Sequence, residues 1–86
     1  MYRVVFSKKA QKDAKKLAAS HLKPQAESLV EILKENPCQT PPPYEKLTGN
    51  LKGCFSRRIN IQHRLVYEIF EEEQTVLVLR MWSHYV

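Results

Sequence analysis

Long apolar runs are missing from this 86-residue sequence. Its longest aliphatic stretch, Val76 to Leu79, is four residues, where a helical membrane span needs about 20. The opening Met1-Tyr-Arg-Val-Val-Phe6 has none of the roughly 7–15-residue apolar core of a secretory signal. A cytoplasmic protein without membrane contact is the expectation. Cysteine is equally sparse: Cys38 and Cys54 are the only two, with no CxxC and no histidine at ligand spacing. Neither a metal site nor a cofactor is therefore expected, nor a disulfide in reducing cytosol. No internal repeat is present, and the one biased segment is Pro37 to Pro43, which holds four of the five prolines.

The chain has enough apolar residues to fold, 43% against 27% charged, and is too short for a second core, so residues 1–86 are read as one domain. A core this small leaves room for stabilisation by a partner or a second copy. Fourteen Lys and Arg against nine Asp and Glu give a net charge of +5, a bias toward polyanions such as nucleic acid or acidic protein segments. The cations divide by type. Arg3 is the single arginine among the eight cations of residues 1–43, whereas Arg57, Arg58, Arg64 and Arg80 are four of the six that follow. Guanidinium offers a planar fork matched to phosphate, and lysine a mobile point charge.

Tyr2 to Phe6, β-branched and aromatic, is predicted as a strand, and Ser7 as the cap of a helix running to Leu22. Ala10, Ala14, Leu17 and Ala18 recur at helical spacing, with Lys8, Lys12, Lys15 and Lys16 on the opposite side. Pro24 opens a second helix with the apolar set Ala26, Leu29, Val30 and Leu33, and Pro37 stops it. The proline segment should be an extended connector. Strand-like runs follow at Cys54–Ile61, Arg64–Phe70 and Thr75–Trp82, with Glu71-Glu72-Glu73 at a solvated hairpin tip. The predicted class is α+β: a small antiparallel sheet with an N-terminal strand and a helical hairpin packed on one face, in the order β-α-α-β-β-β.

Alternation places Ser56, Arg58 and Asn60 on one strand face and Phe55, Arg57, Ile59 and Ile61 on the other. If Asn60-Ile61-Gln62 is the turn, Arg58 stands opposite Arg64, and two like charges so placed call for a carboxylate or an anionic ligand between them. A two-residue Ile61-Gln62 loop would instead pair Arg58 with Leu65. A plain solvated face is the competing reading of the two arginines. His84 titrates near neutral pH and Glu45 can accept a proton, so together they would serve as acid and base, unless the terminal residues are merely frayed. His21 and His63 read as surface or capping residues, and Cys54 as a small buried hydrophobe.

The segments Asn50-Leu51-x-Gly53, Ser56-Arg57-Arg58-Ile59, His63-Arg64-Leu65-Val66-Tyr67 and the closing His84-Tyr85 closely resemble the Txe/YoeB family of RelE-superfamily toxins. The first half agrees in element order only. The resemblance implies a RelE-like microbial RNase fold and the toxin of a type II toxin–antitoxin pair: an endoribonuclease that enters the ribosomal A site, cuts messenger RNA and so inhibits translation. It implies a catalytic set of Glu45, Arg58, Arg64, His84 and Tyr85. The implied partners are a cognate YefM/Axe-like antitoxin, the ribosome and its message, operator DNA through the antitoxin complex, and a second copy in a homodimer. Thr48 stands where well-known members carry lysine; Lys46 and Lys52 are the nearby cations for the same phosphate. In a ribosome-directed protein Lys8 and Lys12 would grip ribosomal RNA. The alternatives are a basic module that binds RNA or DNA without cutting it, and an interaction protein for an acidic or amphipathic segment.

Overall fold

A computed structural model of the chain describes residues 1–82. Arg3–Phe6 forms β1. Ser7 then ends the strand and starts the first helix, α1 (Lys8–Ala18): its Oγ accepts from the Ala10 N–H at 3.0 Å. The same hydroxyl donates to the Leu79 carbonyl at 2.9 Å, so one side chain caps the helix and ties it to the sheet. A serine cap contributes about 1 kcal/mol to helix stability.

α1 is shorter than the predicted span. Ser20 Oγ donates to the Leu17 carbonyl and accepts from the Leu22 N–H, giving these backbone groups a partner outside the helical ladder. Ala10 and Leu17 are buried and Ala14 half-buried, but Ala18 is exposed at the helix end, and Asp13 is buried in its place. The second helix, α2 (Lys23–Glu35), has Pro24 in its first turn and buries Ala26, Leu29 and Leu33. It stops at Asn36, whose backbone is extended, as a residue preceding proline prefers.

After the proline connector come β2 (Glu45–Lys46), a single 3₁₀ turn at Gly49–Leu51, β3 (Cys54–Arg58), β4 (Arg64–Phe70) and β5 (Thr75–Arg80). The sheet runs β1-β5-β4-β3-β2. The α+β class and the β3-β4-β5 meander hold, but the sheet is mixed: β1 lies parallel to β5, and β2 adds a fifth strand. Alternation tells which side chains share a face and carries nothing about strand direction, so the parallel edge was not legible. β2, two residues long, is too short to show a period.

β3 stops at Arg58, short of the predicted Ile61, because the Asn60 side-chain oxygen accepts from the Gln62 and His63 N–H groups and turns the chain. β5 stops at Arg80 because the Met81 N–H turns to the Asp13 carboxylate. The core lies between the helices and one sheet face. Leu33, Leu65, Tyr67, Val76 and Val78 are fully buried in it, and burying each aliphatic side chain contributes about 1.5–3 kcal/mol. No helix among the described residues is long and apolar enough to cross a membrane.

Candidate active site

The sheet face away from the helices holds the arginines that sequence spacing singled out. The β3–β4 register places Arg58 opposite Arg64 and Ser56 opposite Val66, the pairing that the Asn60-Ile61-Gln62 turn predicts. Glu45 of β2 stands opposite Ser56, and cross-strand neighbours project to the same side. Together with Pro43, these residues line an open cleft of about 250 Å³: Glu45, Ser56, Arg58 and Arg64. Arg64 Nη1 lies 3.5 Å from Glu45 Oε1 and donates to Ser56 Oγ at 3.3 Å. Arg58 is exposed, and its guanidinium has no partner among the described residues. Two guanidinium groups against one carboxylate leave the cleft with a surplus positive charge.

The Glu45 side chain is 66% exposed and that of Arg64 20%. A pair of that kind contributes about 0–1 kcal/mol, so neither partner is committed to the other. Glu45 is free to turn to a ligand proton, and Arg64 to an anionic oxygen.

Arg57 holds the wall of this cleft from behind. It is 1% exposed, on the helix side of β3, and every arm of its guanidinium is engaged. Nη2 donates to the carbonyls of Pro37 at 2.8 Å and Gln39 at 2.9 Å, Nη1 to that of Pro42 at 2.6 Å, and Nε to the Tyr67 hydroxyl at 3.0 Å. The guanidinium also lies 5.0 Å from the Tyr44 ring centroid. Tyr44 in turn meets Phe55 edge-on, and Phe55 stacks on Tyr67. Prolines supply no backbone N–H and cannot form a ladder. Their carbonyls are satisfied by one buried cation instead, and this fixes the connector that delivers Glu45. Burial pushes the Tyr67 hydroxyl above the usual phenol range, against the pull of Arg57.

The remaining predicted residues lie apart from the cleft. Lys46 pairs with Phe55, so it projects to the opposite side from Glu45, and Lys52 follows the 3₁₀ turn; both are exposed. Lys8 borders a second cleft of about 460 Å³ on the same sheet face, with Lys9 and Arg80 over Leu51, Val66 and Leu79. Lys12 is exposed on α1. His84 and Tyr85 lie outside the described residues. Cys54 is buried and Cys38 exposed, both as free thiols; burial, aided by Glu68, pushes the Cys54 thiol up.

Sequence reasoning missed Asp13, Ser56, and the anchoring role of Arg57. Alternation had set Arg57 beside Phe55 and Ile59, on the face that becomes the core, and a guanidinium there demands several acceptors. The acceptors themselves, three carbonyls in a proline segment, carry no periodic signal.

The family described as the ParE toxin of type II toxin–antitoxin systems, parDE, matches residues 4–85 of the chain. Toxin YoeB of Synechocystis sp. is 46% identical over 41 residues, 48% of this chain and 45% of that protein; the match thus spans under half the length of this curated relative. Among solved structures, the YoeB/ParE toxin of Agrobacterium tumefaciens superposes with a TM-score of 0.87 at 25% identity, over 96% of this chain and 99% of that one. The YoeB–YefM complex of Staphylococcus aureus gives 0.82 at 28%, over 99% of each chain. The YoeB dimer from the same organism gives 0.82 at 29%, over 98% of each.

Proposed function

Because the chain belongs to the ParE toxin family of type II toxin–antitoxin systems, we propose that it is the YoeB-like toxin of such a pair, a ribosome-dependent endoribonuclease that cleaves messenger RNA in the A site. The observation that carries this reading is the opposed Arg58 and Arg64 pair with Glu45 beside Arg64 in one open, cationic cleft. Cleavage by an RNA's own 2′-hydroxyl suits that set. The hydroxyl oxygen attacks the adjacent phosphorus as its proton passes to Glu45, and the bond from phosphorus to the 5′ oxygen breaks. His84 donates a proton to that departing oxygen, while Arg58 and Arg64 hold the non-bridging oxygens as their charge rises. Tyr85 stacks on a base or orients the phosphate.

In this reading the protein acts in the cytoplasm. Its partners are a YefM-like antitoxin, as in the Staphylococcus aureus complex, the ribosome with its message, operator DNA through the antitoxin complex, and a second copy in a homodimer. Lys8 and Lys12 are the contacts to ribosomal RNA, with Lys46 and Lys52 at the margin of the message. The test is expression of Glu45→Gln and His84→Gln. Each should slow cleavage about 10²–10⁴-fold and relieve growth arrest, with the circular dichroism of the folded protein retained. Undiminished toxicity of both removes them from the catalytic set. Intact message on programmed ribosomes carrying the wild-type protein favours a binding module instead.

A further inference from the structure

The last described residues, Arg80 to Trp82, are gripped from two sides. From α1, the buried Asp13 carboxylate accepts three hydrogen bonds: Oδ2 from Arg80 Nε at 2.8 Å and from the Met81 backbone N–H at 2.9 Å, and Oδ1 from Arg80 Nη2 at 3.4 Å. From the β3–β4 hairpin, the His63 ring stacks on Trp82 at 4.0 Å between centroids, and its Nδ1 meets the Trp82 carbonyl. Just before this point the β4–β5 register shifts between Val66 and Tyr67, so that Arg80 stands opposite Val66 and Leu79 has no opposing residue. Such bulges re-aim the chain that follows.

Asp13 is 2% exposed, and a carboxylate at such a site is expensive unless its oxygens are used. An alanine in its place would complete the apolar stripe of α1. Two of its three bonds go to Arg80, and the third holds the Met81 amide outside the sheet ladder. His63 immediately precedes Arg64, so the second grip ties the same segment to the strand that forms the cleft wall. Two residues of chain, with a reach of about 7 Å, join Trp82 to His84.

We propose that Asp13, with His63 as its counterpart on the hairpin, is a positioning residue for His84 and Tyr85: it fixes the chain at Arg80 to Trp82, from which those two residues follow in sequence. This rests on the catalytic reading of His84 given above. It assigns Asp13 no contact with RNA; the carboxylate acts through the backbone of Met81.

The test combines message cleavage on programmed ribosomes with acrylamide quenching of Trp82, the single tryptophan of the chain. Asn at position 13 puts an amide where one of the two oxygens now accepts. Asp13→Asn should lower kcat about 10–100-fold, the scale of a misplaced catalytic group, leave KM within about threefold, and raise the quenching of Trp82. In a His84→Gln background the same change should cost under about threefold, because the group it positions is already gone. A full multiplicative loss in that background, or unchanged Trp82 quenching, overturns the proposal. Wild-type cleavage by His84→Gln would instead strike out the acid assigned above, whereas quenching of the free protein judges the grip independently. Where Asp13→Asn does not fold, Asp13→Leu/Arg80→Met removes both charges together and leaves none uncompensated. It still deprives the Met81 N–H of its acceptor, and should show the same kcat loss and quenching.

Discussion

Arg58 and Arg64 stand directly opposite one another across the β3–β4 ladder, and only Arg64 has a carboxylate beside it. Like charges so placed destabilise a sheet unless an anion lies between them. Alanine at either position should therefore lower cleavage about 10²–10³-fold while leaving thermal stability unchanged or slightly raised. Lys9→Ala, an exposed cation on α1, serves as the control in the same ribosome assay. Losses at positions 58 and 64 no larger than that of the control would refute a phosphate clamp.

Arg57 answers three connector carbonyls and a buried phenol. Leucine at this position leaves those acceptors without a donor, so Arg57→Leu should destabilise the fold by about 3 kcal/mol or more, read as a lower urea midpoint. Arg57→Lys keeps a charge but not the fork, and should recover only part of the loss. An unchanged midpoint for both variants would mean that the connector is held by something else.

The parts of this molecule written in short-range patterns were legible in its sequence. The Ser7 cap, the α2 apolar stripe and the proline stop at Asn36 each depend on neighbours within a few residues, while the turn that brings Arg58 to Arg64 was one of two that the sequence allowed, and the structure chose between them. What was illegible is long-range and unperiodic. Asp13 and Arg80 lie 67 residues apart, and from its position on a lysine-rich helix Asp13 reads as one more solvated charge. The parallel seating of β1 beside β5 depends on how the whole helical hairpin returns the chain. Chemistry alone made Glu45 one candidate carboxylate, the family resemblance singled it out, and only the β2–β3 register puts it beside Ser56.

Acid stability should depend on Asp13. Burial pushes its carboxyl upward, but the hydrogen bonds and charge of Arg80 and the bond from the Met81 N–H outweigh this and hold it below the usual aspartate range. A group held lower in the folded state stabilises the fold fully above its unfolded pKa, about 3.9, and loses that contribution as pH falls through the folded value. Urea midpoints taken from pH 6 downward should therefore fall more steeply in wild type than in Asp13→Asn below about pH 4. Parallel profiles would contradict this.

The two cysteines should separate by reactivity. Cys38 is exposed and Cys54 is buried with its thiol pushed up, and thiolate character governs attack on a disulfide reagent. One equivalent of an aromatic disulfide reagent should react with the native protein at pH 8, at Cys38, and the second only after unfolding in guanidinium. Rapid native labelling of Cys54, located by peptide mass, would contradict its burial.

The strand order puts unequal stiffness into the two sides of the cleft. Arg64 rides on β4, the middle strand of five, laddered along both edges, whereas Glu45 sits on a two-residue strand at the rim. Amide hydrogens on β4 belong to the slowest-opening part of the sheet, and those of β2 open with far less disruption. A ligand can therefore draw the carboxylate aside and let it return while the guanidinium wall keeps its spacing, so adjustment to differently shaped guests falls on the Glu45 side of the cleft and leaves the Arg64 side constant.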